Sequence, residues 1–295
     1  MRLLRAQSLG MCFGVRDAIA LAVSQAEAAP LTILGDLVHN DAVLGGLRAR
    51  GIAIARDLAD IQTPTVMVTA HGTSQRALAQ TRARGFAVVD ATCPLVHVAH
   101  RAVKALVRDG YHPVIVGQRD HVEVRGLTGD LDDFDVVQDE HDVAALRAHL
   151  RLGIAAQTTQ PIETVRRLVG LIRTRFPRSD VRLIETVCRP TRERQAAARD
   201  LALESDVVIV VGGANSNNTR ELVKTCSRWC PRVHHVQSEC DLQAEFLHGA
   251  GTVGLTAGTS TPDDVIDRVE ERIRELAAGL EADEETAAAC PGRRP

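Results

Sequence analysis

Short apolar runs alternate with amphipathic stretches along most of the chain. Runs such as FAVVDAT, PVIVG and VVIVVGG are compact and rich in valine and isoleucine, which is typical of buried strands. Between them, apolar or alanine positions recur at three- and four-residue spacing, which predicts helices. Because strands and helices alternate at this length, the pattern predicts an α/β fold with parallel sheets.

One pattern occurs three times, each time opening with a cysteine. Cys12, Cys93 and Cys188 begin the stretches CFGVRDAIALAVSQA, CPLVHVAHRAVKALVRDG and CRPTRERQAAARDLALES. Each stretch has helical periodicity, so each cysteine is expected at the start of a helix. Pro94, directly after Cys93, suits a first helical position.

Two polar strand ends follow each cysteine. The first set lies 27, 28 and 28 residues after the respective cysteine and comprises His39, His121 and Ser216. The second set ends a further predicted strand in each copy and comprises His71, Thr158 and Ser260. In parallel α/β sheets the site lies at the carboxyl ends of the strands, so these residues are candidates for a binding site.

The chain is therefore predicted to contain three similar α/β lobes in a pseudo-threefold arrangement around a central site. The expected boundaries are residues 1–93, 94–188, 189–280 and a flexible tail over 281–295. This arrangement would bring three thiolates and about six polar groups to one centre. Because one chain supplies all three lobes, a monomer is expected.

Composition narrows the possible classes of function. The 35 basic and 38 acidic side chains leave a formal charge of -3, so no basic excess is available to bind a nucleic-acid backbone. No apolar stretch reaches 18 residues, so no membrane span is expected. Seven cysteines without a secretory signal favour a reducing, cytoplasmic setting and metal or catalytic roles.

Three cysteine ligands with no fourth are compatible with an iron–sulfur cluster that has one open iron. An open metal position can act as a Lewis acid toward substrate oxygen. Two alternatives remain at this point. The cysteines could be unrelated buried residues, or they could hold a catalytic zinc ion, which also keeps three protein ligands.

The polar strand ends favour a phosphorylated ligand. Histidine, serine, threonine and asparagine can hydrogen-bond a diphosphate through neutral donors, and protonated imidazole adds positive charge. Glu123 follows His121 by two residues, and a carboxylic acid there could deliver protons to a leaving water.

Nine motifs occur in the order found in one family: GMCFGVRDAI, GDLVHN, AHGTS, DATCPLV, the segment HVE that starts at His121, QTT, TVC followed by T.ERQ, GGANSNNT and TAGTSTP. Over residues 3 to 275 the chain resembles the 4-hydroxy-3-methylbut-2-enyl diphosphate reductases, the LytB family. The resemblance implies three α/β lobes around a [4Fe–4S] cluster held by Cys12, Cys93 and Cys188. It implies that Glu123 and Thr158 deliver protons. The residues that it implies for diphosphate binding are His39, His71, His121, Ser216, Asn217, Asn218 and Ser260.

The resemblance further implies a reductive dehydroxylation, the last step of the non-mevalonate isoprenoid pathway. Two electrons and two protons convert the substrate to isopentenyl diphosphate or dimethylallyl diphosphate, and water leaves. A ferredoxin or a flavodoxin is the implied electron donor. No GxGxxG fingerprint occurs, so direct nicotinamide binding is not supported.

Three features depart from the family pattern. Val122 stands where the family usually has proline, which could loosen the position of Glu123. Pro190 stands where a smaller residue is more common, and Asn217 stands where serine is common. A paralogue with altered substrate, or a protein that keeps the cluster but lacks turnover, therefore stays an alternative.

The remaining cysteines match no family feature. Cys226, Cys230 and Cys240 lack the spacing of a known metal motif, so a second metal site is not expected there. Cys290 lies in the expected tail and is interpreted as incidental.

Overall fold

Twelve strands and ten α-helices alternate along the part of the chain that the structure describes. The structure is a computed structural model that describes residues 1–289, with side chains to residue 282. All strand pairs in it are parallel, and they form three sheets of four strands each. The predicted α/β class with parallel sheets is confirmed.

The elements follow one another with short connections. Up to residue 93 they are β1 (Arg2–Arg5), α1 (Phe13–Ala28), β2 (Leu31–Leu34), α2 (Asp41–Ala49), β3 (Ala53–Ala55), β4 (Thr65–Val68), α3 (Gln75–Ala83) and β5 (Ala87–Asp90). From residue 94 to 188 they are α4 (Pro94–Arg108), β6 (His112–Val116), α5 (Val122–Thr128), β7 (Asp135–Val137), α6 (Glu140–Ala145), β8 (Arg151–Ala156), α7 (Ile162–Arg175) and β9 (Asp180–Leu183). The remaining elements are α8 (Arg189–Leu203), β10 (Val207–Val211), α9 (Asn217–Cys226), β11 (Val233–Val236), β12 (Thr252–Ala257) and α10 (Asp263–Ala289).

The three sheets share one strand order. The first is β3-β2-β4-β5, the second is β7-β6-β8-β9, and the third is β11-β10-β12-β1. In the first two sheets the last strand along the chain lies beside the third, whereas in the third sheet β1 takes that position. The first strand of the chain therefore completes the last sheet, although the predicted boundaries grouped it with residues 1–93.

Each sheet is buried under helices, as parallel sheets require. All five residues of β10 are buried, and so are the last five residues of β8. In the second sheet, Ile154 of β8 packs in one apolar cluster with Leu168 and Ile172 of α7. These continuous apolar runs match the sequence pattern that predicted buried strands.

The chain divides into two compact units. One comprises residues 12–192 and holds the first two sheets. The other comprises residues 1–11 with the described residues from 193 onward, and it holds the third sheet. The division into three lobes around one centre stays a prediction.

The end of the chain differs from the expected tail. Helix α10 continues to Ala289, so residues 281–289 are helical. This stretch is rich in alanine and glutamate, which are strong helix formers, and their propensity favours continuation of the helix. Residues 290–295, including Cys290, lie outside the described residues.

We expect Ile154→Ala to lower the free energy of unfolding by about 2–5 kcal/mol, because the substitution leaves a cavity in a fully buried site. The matched control is Leu150→Ala near the start of the same strand, where the side chain is 87% exposed and a change within about 0.5 kcal/mol is expected. Urea denaturation of the full chain measures both. Equal destabilisation by the two variants would contradict this assignment of the core.

Candidate functional site

Each of the three predicted cysteines immediately precedes a helix. Cys12 and Cys93 are the N-caps of α1 and α4, and neither uses its side chain as a cap. Cys188 directly precedes α8. A helix N-terminus carries partial positive charge, which stabilises a thiolate. We call these residues the cysteine cluster, and all three belong to the unit of residues 12–192.

The cysteine cluster is electrostatically coupled and partly buried. Burial raises the pKa of the Cys188 thiol to about 11, against hydrogen bonds from Thr191 that lower it. Burial also raises the pKa of the Cys93 thiol, against hydrogen bonds from backbone N–H groups. Cys12 and Glu123 raise both pKa values further. Burial and the neighbouring groups therefore disfavour the thiolate form, and a bound metal cation would favour it.

Two of the cysteines are tied to polar strand ends by the same hydrogen bond. The N–H of Cys93 donates to the carbonyl of Ala70, the neighbour of His71, at 3.0 Å. The N–H of Cys188 donates to the carbonyl of Thr158, also at 3.0 Å. In each case the cysteine that opens the next repeat therefore lies beside the loop after β4 or β8, the third strand of its sheet in chain order.

Two residues that the sequence interpretation did not assign contact these sulfur atoms. A Cβ atom at position 14 would lie 2.4 Å from Sγ of Cys93, so only glycine fits between α1 and this sulfur. Thr191 Oγ1 lies 3.1 Å from Sγ of Cys188. Both stand in motifs that carry the resemblance, GMCFGVRDAI and the stretch after Cys188, and that is the only sequence signal for them.

The spacing of the sulfur atoms bears on the kind of centre. Among the described residues, the cysteine cluster is not one of the groups whose ligand atoms all lie within 4.8 Å of one another. A tetrahedral zinc ion with Zn–S bonds of about 2.3 Å would hold its sulfur atoms about 3.8 Å apart. At least one of the sulfur atoms would therefore have to move for the three to bind a single zinc ion.

His39, His71 and His121 come together as predicted, and we call them the histidine cluster. Their ring centroids lie 4.5 to 5.4 Å apart, and one nitrogen of each lies within 4.8 Å of the others. Burial lowers the pKa of His71 well below its usual value, and the charges of its two neighbours lower it further. Its Nδ1 is buried and makes no hydrogen bond within the described residues. Three crowded imidazoles of this kind suit a multiply charged anion or a transition metal.

Glu123 and Thr158 also come together. Glu123 lies in the first turn of α5 and is 1% exposed. The N–H of Thr158 donates to Glu123 Oε1 at 2.6 Å, and the Thr158 hydroxyl donates to Oε2 at 3.0 Å. Burial raises the pKa of Glu123 to about 7, although both hydrogen bonds from Thr158 oppose the rise. A carboxyl group with this pKa can both hold and release a proton near neutral pH.

His121 fixes the start of the helix that carries Glu123. Its Nδ1 accepts the N–H of Glu123 at 3.1 Å, which is an N-cap hydrogen bond. The neutral ring therefore carries its proton on Nε2. Val122 is the first residue of α5, a position whose N–H needs no partner within the helix. The absence of the family's proline there leaves the helix start intact.

The other unit holds the remaining predicted residues. Ser216 caps α9 by accepting the N–H of Thr219, and Asn218 Oδ1 accepts the N–H of Thr259 at 2.9 Å. Nδ2 of Asn218 is buried and makes no hydrogen bond within the described residues. Asn217 and Ser260 are buried as well. The buried donor of Asn218 is the feature here that calls for a polar ligand.

A close approach of backbone and side chain supports this group. A Cβ atom at Gly258 would lie 2.2 Å from Thr219 Oγ1, so only glycine allows the β12 end to approach α9. The contact positions the loop that carries Ser260. The sequence interpretation did not assign Thr219 or Gly258, and both lie in motifs that it quoted.

The additional cysteines are structural where they are buried. Cys226 and Cys230 lie in the apolar core of the third sheet, and their sulfur atoms face backbone carbonyls. Burial raises the pKa of Cys226 to about 12. Cys240 is exposed. None of the three belongs to a group of potential metal ligands among the described residues.

Comparisons with known proteins agree on one family. The family model described as LytB protein matches residues 3–274. The 4-hydroxy-3-methylbut-2-enyl diphosphate reductase of Geobacter sulfurreducens is 38% identical over 278 residues, which cover 94% of this chain and 98% of that protein. The same enzyme from Aquifex aeolicus is 36% identical over 280 residues, covering 93% and 96%.

Two solved structures are similar over most of the chain. One is (E)-4-hydroxy-3-methyl-but-2-enyl diphosphate reductase, the terminal enzyme of the non-mevalonate pathway. Its TM-score is 0.67 at 36% identity, and the match covers 93% of this chain and 100% of that one. The other, the E-1-hydroxy-2-methyl-but-2-enyl-4-diphosphate reductase from Plasmodium falciparum, has a TM-score of 0.85, 27% identity and coverage of 92% and 87%. Within residues 1–289, no helix has the length and apolar character needed to cross a membrane.

The raised pKa of Glu123 makes folding stability depend on pH. Between about pH 4.5 and 7 the unfolded chain releases this proton whereas the folded chain keeps it, so stability from this group is lost as pH rises. Glu123→Gln removes the titration, so the stability of the variant relative to the parent should rise by about 3 kcal/mol over this range. Chemical denaturation of both proteins at several pH values measures the difference. A pH-independent difference would contradict the raised pKa.

Proposed function

This chain belongs to the LytB family, and on that premise we propose that it reduces 4-hydroxy-3-methylbut-2-enyl diphosphate to isopentenyl diphosphate and dimethylallyl diphosphate. Removal of the allylic hydroxyl consumes two electrons and two protons and releases one water. The products differ only in which carbon receives the second proton. This is the last step of the non-mevalonate pathway.

We assign the cysteine cluster as the ligands of a [4Fe–4S] cluster with one open iron. Three electrostatically coupled thiols at helix starts support this assignment. When bound, such a cluster supplies one-electron transfer and a Lewis-acidic iron. Gly14 keeps space beside Cys93, and Thr191 donates or accepts a hydrogen bond at Cys188.

The single observation that carries the proposal is the buried contact between Glu123 and Thr158. A diphosphate-binding protein has no need of a buried carboxyl group whose pKa is about 7. Thr158 now donates its hydroxyl proton to Glu123. When Glu123 is protonated, the same hydrogen bond reverses, and the Thr158 hydroxyl is released to donate to the leaving oxygen. The pair therefore works as a two-step proton relay to the substrate.

The histidine cluster is proposed to bind the diphosphate. In the free protein His71 is neutral near pH 7, because burial and its neighbours lower its pKa. A diphosphate between the three rings would reverse the sign of the local field and favour imidazolium. Ser216, Asn217, Asn218 and Ser260 are proposed to offer neutral hydrogen bonds to a diphosphate group, with the buried Asn218 amide as the main support.

The electron donor, the location and the oligomeric state are proposed from the family assignment together with the sequence. Electrons would come from a ferredoxin or a flavodoxin, one at a time, because the cluster transfers single electrons. The charge of -3 and the reduced cysteines support a cytoplasmic enzyme without nucleic-acid partners. A monomer is proposed because all candidate site residues belong to one chain.

The test is turnover by anaerobically purified, iron-loaded protein with a chemical reductant. We expect formation of both products, and we expect Glu123→Gln to lower kcat at least about 100-fold because the proton relay is lost. The Kd for the substrate should change little, since Gln can accept the N–H of Thr158 through its oxygen and donate to the Thr158 hydroxyl through its nitrogen. The matched control is Glu204→Gln, an exposed carboxyl, which should leave kcat unchanged.

Three outcomes would contradict the proposal. Iron-loaded protein that binds the diphosphate without product formation would indicate the non-catalytic alternative. A Glu123→Gln variant with full kcat would remove the proposed relay. A protein that takes up only zinc would exclude the iron–sulfur assignment.

Binding of inorganic pyrophosphate should be linked to proton uptake by His71. Affinity should increase as pH falls from 8 to 6, because the bound anion raises a pKa that is low in the free protein. Calorimetry in buffers of different ionisation enthalpy counts the protons. His71→Asn should take up fewer protons than the parent, by as much as about one. Both proteins bind the same pyrophosphate, so protonation of the ligand itself cancels in the difference between them. Equal proton uptake by the parent and His71→Asn would contradict the assignment.

A further inference from the structure

A second cluster of potential metal ligands lies in the second sheet, at its amino edge. His112 is the first residue of β6, Asp135 is the first residue of β7, and His149 precedes β8 by two residues. Because the three strands are parallel neighbours, their amino ends meet at one edge of the sheet. We call these three residues the edge cluster.

The geometry of the edge cluster is close to that of a metal site. One ligand atom from each residue lies within 4.8 Å of the other two. His112 Nε2 lies 2.9 Å from Asp135 Oδ2, and the His112 side chain is only 8% exposed. The rings of His112 and His149 are stacked, with centroids 3.7 Å apart and planes at 9°. Binding of one tetrahedral ion with bonds near 2.0–2.2 Å would require the two stacked rings to rotate apart, so that a nitrogen of each points at the ion.

The hydrogen bonding of the edge cluster is incomplete. Nε2 of His149 is buried and makes no hydrogen bond within the described residues. Burial lowers the pKa of His149, and repulsion from His112 and Arg147 lowers it further, against attraction from Asp135 and Asp133. A neutral imidazole with an unused buried nitrogen is the form that binds a metal ion.

A neighbouring carboxylate or a water molecule can supply the fourth ligand. Asp133 Oδ2 lies 3.7 Å from His112 Nδ1, and Asp133 also pairs with Arg147 at 2.8 Å. Asp133 is more than half exposed, so it can exchange between these partners or give way to water. Two imidazoles, one carboxylate and a water or second carboxylate form a donor set that suits zinc and disfavours the hard cations magnesium and calcium.

We propose that His112, Asp135 and His149 bind a divalent transition metal, with zinc as the best match. The ion would join the starts of β6 and β7 to the loop that enters β8. It would also give Nε2 of His149 the partner that it lacks among the described residues.

The position of this site separates it from the proposed reaction. His121 and Glu123 follow the carboxyl end of β6, and Thr158 follows that of β8. Strands of five or six residues span about 17–20 Å, so the edge cluster does not touch the proton relay. The metal would therefore stabilise the lobe that carries the relay without taking part in its chemistry.

The test uses zinc salt with the full-length, iron-loaded protein in metal-free anaerobic buffer. Calorimetry should find one zinc site in the parent that His149→Ala and Asp135→Asn lose or weaken at least about tenfold, since each variant removes one ligand. Saturating zinc should raise Tm of the parent by about 3 °C or more beyond the rise that it causes in either variant. Magnesium at the same concentration should have no such effect.

The matched control is His141→Ala, an exposed histidine in the first turn of α6 in the same lobe. It should bind zinc as the parent does, and any zinc held by the histidine cluster contributes equally to all four proteins. Asp135→Asn preserves the shape of the side chain, so this variant still tests the proposed metal site if His149→Ala does not fold. Equal zinc stoichiometry and affinity in all four proteins would overturn the proposal and leave the edge cluster as a metal-free network of histidine and aspartate.

Discussion

Parallel strand pairing is the constraint on which the rest of this structure depends. A parallel pair needs a crossover connection, in most cases here an α-helix, that returns the chain to the amino ends of the strands before the next strand begins. All carboxyl ends of a sheet then lie at one edge, where backbone groups and helix starts are available. In the second sheet this edge holds His121, Glu123 and Thr158, which come from different strands but meet because of the shared strand order. The opposite edge gathers the edge cluster in the same way.

Burial then sets the charge of the gathered groups. The same apolar packing that stabilises the sheets raises the pKa of the Glu123 carboxyl and of the Cys93 and Cys188 thiols. It lowers the pKa of His71, whose two imidazole neighbours add repulsion. Without ligands, these groups are consequently held closer to neutrality than they would be in water. A cation bound at the thiols would favour the thiolate form, and an anion bound at the imidazoles would favour the imidazolium form. Each ligand would thus offset the effect of burial on the charged group.

Close contact between glycine backbone and neighbouring side chains is a second feature that positions the site. Gly14 lets α1 reach the sulfur of Cys93, and Gly258 lets the end of β12 reach Thr219. In both places a single methyl group would displace a residue of the proposed site. Glycine is required there for space, and the sequence shows only that a glycine stands inside a recognisable motif.

The sequence by itself determined the element types, the three cysteines at helix starts and the polar strand ends, because these follow from local periodicity and from a repeated spacing. It also identified the family, since many motifs occur in one order. Only the tertiary structure showed that β1 completes the third sheet, that Glu123 is buried in the first turn of a short helix, and that His112, Asp135 and His149 meet. These facts depend on which strands become neighbours and on what covers them. Such contacts join residues far apart in the chain, and local pattern carries no information about them.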